Sequence, residues 1–185
     1  DILRFHTIYW PIILKALGEE LPHQIFGHPW MLFGDDKMSK SRGNIVYADD
    51  LVNKYGVDAI RFYMVHEMPY AADGVYTEEL LIDAINSNLA NTLGNLVNRT
   101  IGMANKYFDG VVENKNVSEE VDEELKRQVL ELKDKVEENI DKFKVADSLE
   151  NIIDVYRRCN KYIDETMPWV LVKDETKQER LSTVL

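Results

Sequence analysis

The sequence predicts a mainly α protein whose second half forms an antiparallel bundle of helices. Three long segments carry this prediction, because apolar side chains recur every three or four residues along each of them. The first segment spans residues 77–108, the second carries a stripe from Val121 to Phe143, and the third a stripe from Val145 to Ile163. Amphipathic helices bury their apolar faces against one another, so three consecutive stripes favour a bundle.

The composition fits a globular protein of this class. The chain has 185 residues, of which 45% are apolar and 30% are charged. The chain has a single cysteine, Cys159, which excludes an internal disulfide and a Cys-rich zinc cluster, so no metal site is expected. A chain without disulfides fits a reducing compartment such as the cytoplasm. The net charge of −11 argues against nucleic-acid or membrane binding through bulk charge. No apolar run approaches the roughly 20 residues that span a bilayer, so no membrane partner is expected.

The elements before the bundle are shorter, and both ends of the chain are strongly apolar. Residues 2–17 predict an apolar helix that is buried over much of its surface. Residues 23–33, interrupted by Pro29, predict one or two brief strands. A further apolar stripe begins at Leu181 and stops after one turn at Leu185. Because such segments rarely lie exposed, the sequence predicts a piece of a longer protein.

Capping residues set the boundaries of the helices that follow. Short helices are expected over residues 48–55, ended by Gly56, and over residues 58–66, with Asp58 as the N-cap. Residues 69–74 are expected to form a loop.

The three bundle helices carry boundary signals of the same kind. Thr77 is the expected N-cap of the first, which ends at Asp109. Ser118 is the expected N-cap of the second, and Pro168 closes the third.

A cationic loop lies between the predicted strands and the short helices. Residues 34–44 are rich in glycine, serine and charged side chains, which is typical of a surface loop. Lys37 and Lys40 are three residues apart and can hold a polyphosphate from two sides, while serine hydroxyls and backbone N–H groups supply directional donors. Gly43 can absorb a backbone change if the loop closes on its ligand. The alternative is a solvated basic loop.

Five residues of this loop form a family signature. Lys37, Met38, Ser39, Lys40 and Ser41 resemble the KMSKS motif of class I aminoacyl-tRNA synthetases. The rest of the chain is similar to bacterial methionyl-tRNA synthetases over essentially its whole length. The stretches that carry this closer similarity are residues 1–11 (DILRFHTIYWP), 55–63 (YGVDAIRFY), 91–100 (NTLGNLVNRT), 105–110 (NKYFDG) and 167–169 (MPW).

The resemblance implies that ATP, as its magnesium complex, and methionine are substrates of the whole enzyme. It implies that Lys40 is catalytic and stabilises charge on the ATP phosphates while methionine attacks the α-phosphorus. Lys37, Met38, Ser39 and Ser41 would hold the loop and the triphosphate. Such chemistry depends on positioning and charge neutralisation more than on acid–base steps.

The resemblance also implies a methionine pocket along the first helix. Asp1, Ile2 and His6 match pocket positions, and Ile2 and His6 share a helix face because they are four residues apart. Trp10 matches an aromatic wall of that pocket. Large aromatic residues on apolar helices usually pack in a core, so plain packing of Trp10 is an equal alternative.

A polar stripe lies on the helix predicted over residues 77–108. Its members are Asn88, Asn91, Asn95 and Arg99. Carboxamide and guanidinium groups one turn apart can read the edge of an unstacked base, and Trp169 can stack beneath one. From the residues alone, hydrogen bonds to neighbouring helices are the favoured alternative. The resemblance instead implies that Asn95, Arg99, Pro168 and Trp169 bind the CAU anticodon of tRNA(Met).

The resemblance divides the chain into three regions. Residues 1–34 would be the end of a Rossmann-type α/β catalytic domain, residues 35–76 the KMSKS loop and stem-contact region, and residues 77–185 a helical anticodon-binding bundle. The whole protein would be a methionine–tRNA ligase that works through methionyl-adenylate. The family's other ATP signature, HIGH, does not occur in this sequence, so the chain alone is expected to be inactive.

Two alternatives stay open at this stage. The first is another class I synthetase, specific for leucine, isoleucine, valine or cysteine, whose loop is similar. The second is a noncatalytic helical scaffold that binds protein partners through its acidic faces.

Overall fold

The first helix runs without interruption through three helical segments. The computed structural model describes residues 2–34, 36–37, 43, 45–68 and 70–185. Helix α1 (residues 2–17) consists of Ile2–Arg4, a π-helical segment at Phe5–Tyr9, and Trp10–Leu17. It ends at Gly18, whose φ of 77° favours glycine. The helix predicted over these residues is confirmed.

The burial predicted for α1 is wrong for this chain. Ile2 is 80% exposed, Leu17 is 70% exposed, and no residue of the helix is buried. Apolar periodicity identifies side chains that share a face, but it does not show whether another element covers that face. In the described part of the chain this apolar surface remains open to solvent.

A small sheet of three strands follows α1. The strands are β1 (Met31–Phe33), β2 (Asp36–Lys37) and β3 (Gly74–Tyr76). The central strand β1 pairs antiparallel with β2 and parallel with β3, so that Leu32 lies opposite both Lys37 and Val75. Strands were predicted within residues 23–33, but only the last three of these residues form one, and residues 23–30 form no strand. Strand β3 was not predicted, since three residues are too short for a recognisable alternation.

Two short helices pack beside the sheet. They are α2 (Ala48–Tyr55) and α3 (Val57–His66), close to the predicted boundaries. The prediction of Asp58 as N-cap is wrong, because Gly56 with φ 86° occupies that position and Asp58 lies in the first turn. A buried core joins the sheet, α3 and the start of the next helix. Its members are Ile60, Tyr63, Met68, Tyr76, Leu81 and Ala84.

The longest helical path, α4 (residues 78–108), follows β3 directly. It consists of Glu78–Ala84, a π-helical segment at Ile85–Gly94, and Asn95–Phe108. As predicted, Thr77 is the N-cap, and its hydroxyl accepts a hydrogen bond from the Leu80 N–H at 3.2 Å. The predicted end at Asp109, which adopts φ 51°, is also confirmed.

Helices α5 (Glu120–Asp141) and α6 (Val145–Thr166) form a hairpin packed along each other. The prediction of Ser118 as N-cap of α5 is wrong by one residue. Glu119 is the N-cap, because its side chain and that of Asp122 form a reciprocal capping box. The Ser118 hydroxyl instead accepts from Lys126 Nζ at 3.2 Å.

The chain ends in short helical segments that pack on this hairpin. They are α7 (Pro168–Leu171), a 3₁₀ turn at Glu175–Lys177, and α8 (Gln178–Val184). Leu181 on α8 is fully buried. The fold is mainly α, as predicted. None of the helices in the described ranges combines the length and apolar character that crossing a membrane requires.

Candidate functional site

Asn95, Arg99 and Trp169 come together on one side of the helical bundle. Asn95 and Arg99 are one turn apart on α4, while Trp169 lies on α7, immediately after α6. The Arg99 guanidinium lies over the Trp169 ring, 5.9 Å from its centroid, which is within the range of a cation–π interaction. We call these three residues the indole cluster.

Helix α6 orients the two α4 side chains of the indole cluster. Asn95 Nδ2 donates to Asn160 Oδ1 at 2.9 Å. The Arg99 guanidinium donates to the Asn160 carbonyl at 3.5 Å and forms an ion pair with Asp164. These bonds fix the direction of both side chains, and Asn95 itself stays exposed to solvent.

A sharp turn presents the indole of Trp169 at the surface. Met167 ends α6 with φ 46°, in the left-handed region, and Pro168 then begins α7. Pro168 is among the most buried side chains of the protein, whereas Trp169 is 40% exposed. The turn therefore anchors the proline and leaves part of the indole face available for stacking.

The other predicted members of the polar stripe are not equivalent. Asn88 is buried, and its Oδ1 accepts from Arg157 Nη2 at 3.0 Å, so it joins α4 to α6. Asn91 is exposed. Along α4, the polar stripe is therefore buried against α6 at Asn88 and exposed to solvent at Asn95.

Most cations near the indole cluster are paired with carboxylates. Arg157 contacts Glu150 and Asp154, while Arg158 contacts Glu165 at 2.9 Å. Lys173 is different. It is exposed, follows Trp169 by four residues, just beyond the end of α7, and forms no ion pair with any residue that the structure describes. Lys173 is not among the residues predicted from the sequence, although it lies only four residues after Trp169.

The residues matched to a methionine pocket lie on the exposed face of α1. His6 Nδ1 is 2.8 Å from the Ile2 carbonyl oxygen, and the imidazole packs edge to face against Trp10 with centroids 6.4 Å apart. A shallow concavity is lined by Phe5, His6, Tyr9, Trp10 and Ile13. Asp1 lies outside the described residues.

Most of the KMSKS run lies outside the described part of the chain. Lys37 is the last residue of β2, and the sheet therefore positions the backbone at which the run begins. Met38, Ser39, Lys40 and Ser41 are not described.

The family of the chain follows from comparison with known proteins. The family described as tRNA synthetases class I (M) matches residues 1–101, which is more than half of the chain. The chain belongs to this class I synthetase family. The match spans α1, the sheet, α2, α3 and most of α4, including Asn95 and Arg99.

The relatives of this class I synthetase chain are methionine–tRNA ligases. It is 52% identical over 185 residues to the methionine–tRNA ligase of Clostridium acetobutylicum and 54% identical to that of Caldanaerobacter subterraneus. All of the chain is covered in both cases, but only 29% of each relative. The chain thus spans about 29% of the length of these curated relatives.

Solved structures of the family have the same fold. Mycobacterium tuberculosis methionyl-tRNA synthetase in complex with methionyl-adenylate superposes with a TM-score of 0.93 at 39% identity. The apo form of that enzyme superposes with a TM-score of 0.88 at 35% identity. Each comparison covers all of this chain and 36% of the solved chain.

Two further groups of the synthetase chain were candidates for chemistry, the Cys159 thiol and a possible metal site. Burial, opposed by the nearby Arg158 charge, raises the pKa of the Cys159 thiol, which disfavours the nucleophilic thiolate. Among the described residues, no cluster of three His, Cys, Asp or Glu side chains is arranged to hold a metal ion.

Proposed function

We propose that the chain is the part of a methionine–tRNA ligase that carries the KMSKS loop and the anticodon-binding bundle. The whole enzyme would react methionine with ATP, as its magnesium complex, to form methionyl-adenylate and pyrophosphate. It would then transfer the methionyl group to tRNA(Met), with release of AMP, in the cytoplasm. Residues 1–34 would belong to the catalytic domain, residues 35–76 to the KMSKS and stem-contact region, and residues 77–185 to the anticodon-binding bundle.

The observation that carries this proposal is the indole cluster. It combines an aromatic surface, a cation and a carboxamide, which are the groups that bind an unstacked base. A guanidinium has five N–H donors, and the contacts of Arg99 with Asn160 and Asp164 leave donors for a base. The exposed indole of Trp169 would stack on one base of the anticodon loop, while Asn95 and Arg99 would contact base edges.

Backbone contacts would complete the binding of the anticodon loop. Lys173 would contact a loop phosphate, because it is exposed, unpaired among the described residues and only four residues after Trp169. The other basic side chains nearby are neutralised by carboxylates. Recognition would thus rest on base contacts and shape more than on counterion release, as the net charge of −11 requires.

The KMSKS loop would act in the first step of the reaction. Lys40 would neutralise charge that develops on the phosphates as the methionine carboxylate attacks the α-phosphorus, and Lys37, Met38, Ser39 and Ser41 would hold the triphosphate. Ile2, His6 and Asp1 would line the methionine side of the site. This step needs no contact with the indole cluster, so the two activities are separable by mutation.

The substitution Trp169→Ala in the full-length ligase tests the proposal. We expect the KM for tRNA(Met) to rise by roughly 5- to 150-fold, because base–aromatic stacking contributes about 1–3 kcal/mol. ATP–pyrophosphate exchange with methionine should be unchanged, since that step does not involve tRNA. Trp169→Phe is the matched control and should retain much of the affinity because it keeps an aromatic face.

Two outcomes would contradict the proposal. Equal losses in exchange and charging would mean that Trp169 is structural. Unchanged charging in Trp169→Ala would mean that the indole cluster does not bind the anticodon.

A further inference from the structure

The indole cluster lies at one end of a continuous polar contact between α4 and α6. We call this contact the polar seam. On α4 it comprises Asn88, Thr92, Asn95 and Arg99, and on α6 it comprises Glu150, Arg157, Asn160 and Asp164. Over the 14 positions from Glu150 to Asp164, a helix rises about 21 Å at 1.5 Å per residue.

Each link of the polar seam is a direct hydrogen bond. Asn160 Nδ2 donates to the Thr92 carbonyl at 2.9 Å while its Oδ1 accepts from Asn95. Arg157 donates to Asn88 at 3.0 Å and to Glu150 at 2.6 Å. Because Asn88 and Thr92 are buried, these partners are needed to satisfy polar groups that water cannot reach.

The far end of the polar seam reaches the region before the bundle. His66, the last residue of α3, places Nε2 at 2.8 Å from Glu150 Oε2 and Nδ1 at 2.7 Å from Glu67 Oε1. Its imidazole stacks on Phe62 with ring centroids 4.8 Å apart, and its side chain is only 11% exposed. These three contacts fix the orientation of the imidazole, so that Nε2 faces Glu150 on α6.

Glu150 is the residue that joins the two regions. It accepts a hydrogen bond from Arg157 within α6 and is hydrogen-bonded to His66 on α3. The hydrogen bond from Arg157, aided by the one from His66 and opposed by partial burial, holds the pKa of Glu150 below its usual range. The carboxylate is thus ionised at neutral pH and pairs with both neighbours.

A second contact reinforces this joint. Phe26, in the segment between α1 and β1, stacks on Phe143 at the turn between α5 and α6, with centroids 5.4 Å apart and planes 14° apart. Phe143 adopts φ 57°, an uncommon conformation for a bulky residue that the surrounding contacts must maintain. The hairpin of α5 and α6 is therefore attached to the preceding region at two points.

We propose that His66 and Glu150 are positioning residues, which hold α6 and the indole cluster in one orientation relative to the KMSKS region. This inference rests on the proposed function. A tRNA bound by its anticodon presents its 3′ end to the catalytic site only if the angle between the two regions is fixed. Loss of the joint lowers the rate of transfer to tRNA without removing either binding site.

The test uses His66→Ala in the full-length ligase and separates kcat from KM. We expect kcat for charging of tRNA(Met) to fall about tenfold, on the order of one charge-assisted hydrogen bond. The KM for tRNA, binding of an anticodon stem-loop oligonucleotide, and ATP–pyrophosphate exchange should stay within about twofold of the parent. His66→Gln keeps a donor toward Glu150 and should recover part of the lost kcat.

A second variant guards against a local folding defect in the first. Glu150→Gln removes the charge that pairs with both His66 and Arg157 and should lower kcat in the same direction. Its matched control is Glu138→Gln on α5, which makes the same chemical change at an exposed ion pair with Lys142 and should leave kcat unchanged. The double variant His66→Ala with Glu150→Gln should lose little more than Glu150→Gln alone, because that substitution already weakens the contact with His66.

The results distinguish this inference from the proposed function. Unchanged kcat in both single variants, or loss of stem-loop binding together with kcat, would overturn the positioning role. An unchanged tRNA KM in Trp169→Ala, measured in parallel, would overturn the proposed function itself. A raised KM in Trp169→Ala with unchanged kcat in His66→Ala would overturn the positioning role alone.

Discussion

At the scale of single residues, one buried carboxylate holds the last helix to the bundle. Asp122 on α5 is 5% exposed and accepts hydrogen bonds from the Tyr162 hydroxyl and from Arg180 Nη1, the latter at 2.7 Å. Arg180 also donates to the Val117 carbonyl at 3.0 Å. Asp122 thus joins α5, α6 and α8, and its charge offsets that of the buried guanidinium.

The environment of Asp122 gives its ionised form a stabilising role. Burial alone would raise the pKa of this carboxyl, but hydrogen bonds from Tyr162, from the Glu119 N–H and from Arg180 outweigh it and hold the pKa below its usual range. The unfolded-state pKa of an aspartate is about 3.9. Stabilisation from Asp122 is therefore complete above that value and is lost as the pH falls through the lower, folded-state pKa.

We expect Asp122→Asn to destabilise the chain by about 3 kcal/mol at pH 7, because it removes the buried counter-charge of Arg180 and leaves only the exposed Glu119 carboxylate, 3.4 Å from Arg180 Nε. Urea unfolding followed by helical circular dichroism measures the change. The loss should begin to shrink as the pH falls below about 4, where the unfolded carboxyl takes up its proton, and should disappear as the pH falls through the lower folded-state pKa of Asp122. Glu123→Gln, at an exposed ion pair with Lys126, is the control and should change stability by less than about 0.5 kcal/mol. Equal midpoints for Asp122→Asn and the parent would show that the buried contacts contribute nothing.

At the scale of secondary-structure elements, α4 depends on tertiary partners more than on its own helix propensity. Asparagine costs up to about 0.7 kcal/mol relative to alanine in a helix interior. Asn88 and Asn95 offset this cost through bonds to Arg157 and Asn160 on α6. The π-helical segment Ile85–Gly94 contains Asn88 and ends just before Asn95, and the Thr92 hydroxyl donates to the Ser87 carbonyl at 2.8 Å within it.

The start of α4 is fixed locally by its cap. Thr77→Ala should lower the free energy of unfolding by about 1 kcal/mol, because it removes the side-chain acceptor of the Leu80 N–H. Thr77→Ser retains that acceptor and should remain close to the parent. Urea titration of the three chains gives the comparison, and a Thr77→Ala chain as stable as Thr77→Ser would mean that solvent satisfies this N–H equally well.

At the scale of the whole molecule, local signals predicted the helices and missed the contacts between distant segments. The caps at Thr77 and Asp109 were readable because each depends on a few neighbouring residues. The pairing of β1 with β3 was not, since it depends on segments far apart in the sequence. The hydrogen bond between His66 and Glu150 joins residues 84 positions apart, and no periodicity encodes it. The indole cluster was grouped by family resemblance, while residue chemistry alone favoured helix packing.

The burial of α1 was predicted wrongly for the same reason. The periodicity of its sequence correctly indicated a helix, but it could not show whether another segment covers the apolar face. On the 185-residue chain the helix presents a contiguous apolar surface, with Leu3, Ile12 and Leu17 exposed by 65%, 59% and 70%. Surfaces of this kind drive association in water, whereas single exposed apolar residues do not.

We therefore expect the isolated chain to self-associate as its concentration rises, with sedimentation velocity reporting species larger than 21.5 kDa. Introducing Ile12→Lys together with Leu17→Lys should shift the chain toward monomer and reduce its binding of a hydrophobic dye, because charged side chains interrupt the apolar surface. Leu130→Lys is the control, since Leu130 is 78% exposed on α5, away from α1, and its replacement should leave association unchanged. If the control disperses the oligomers as well as the α1 variant does, a general increase in positive charge is responsible and not the uncovered face of α1.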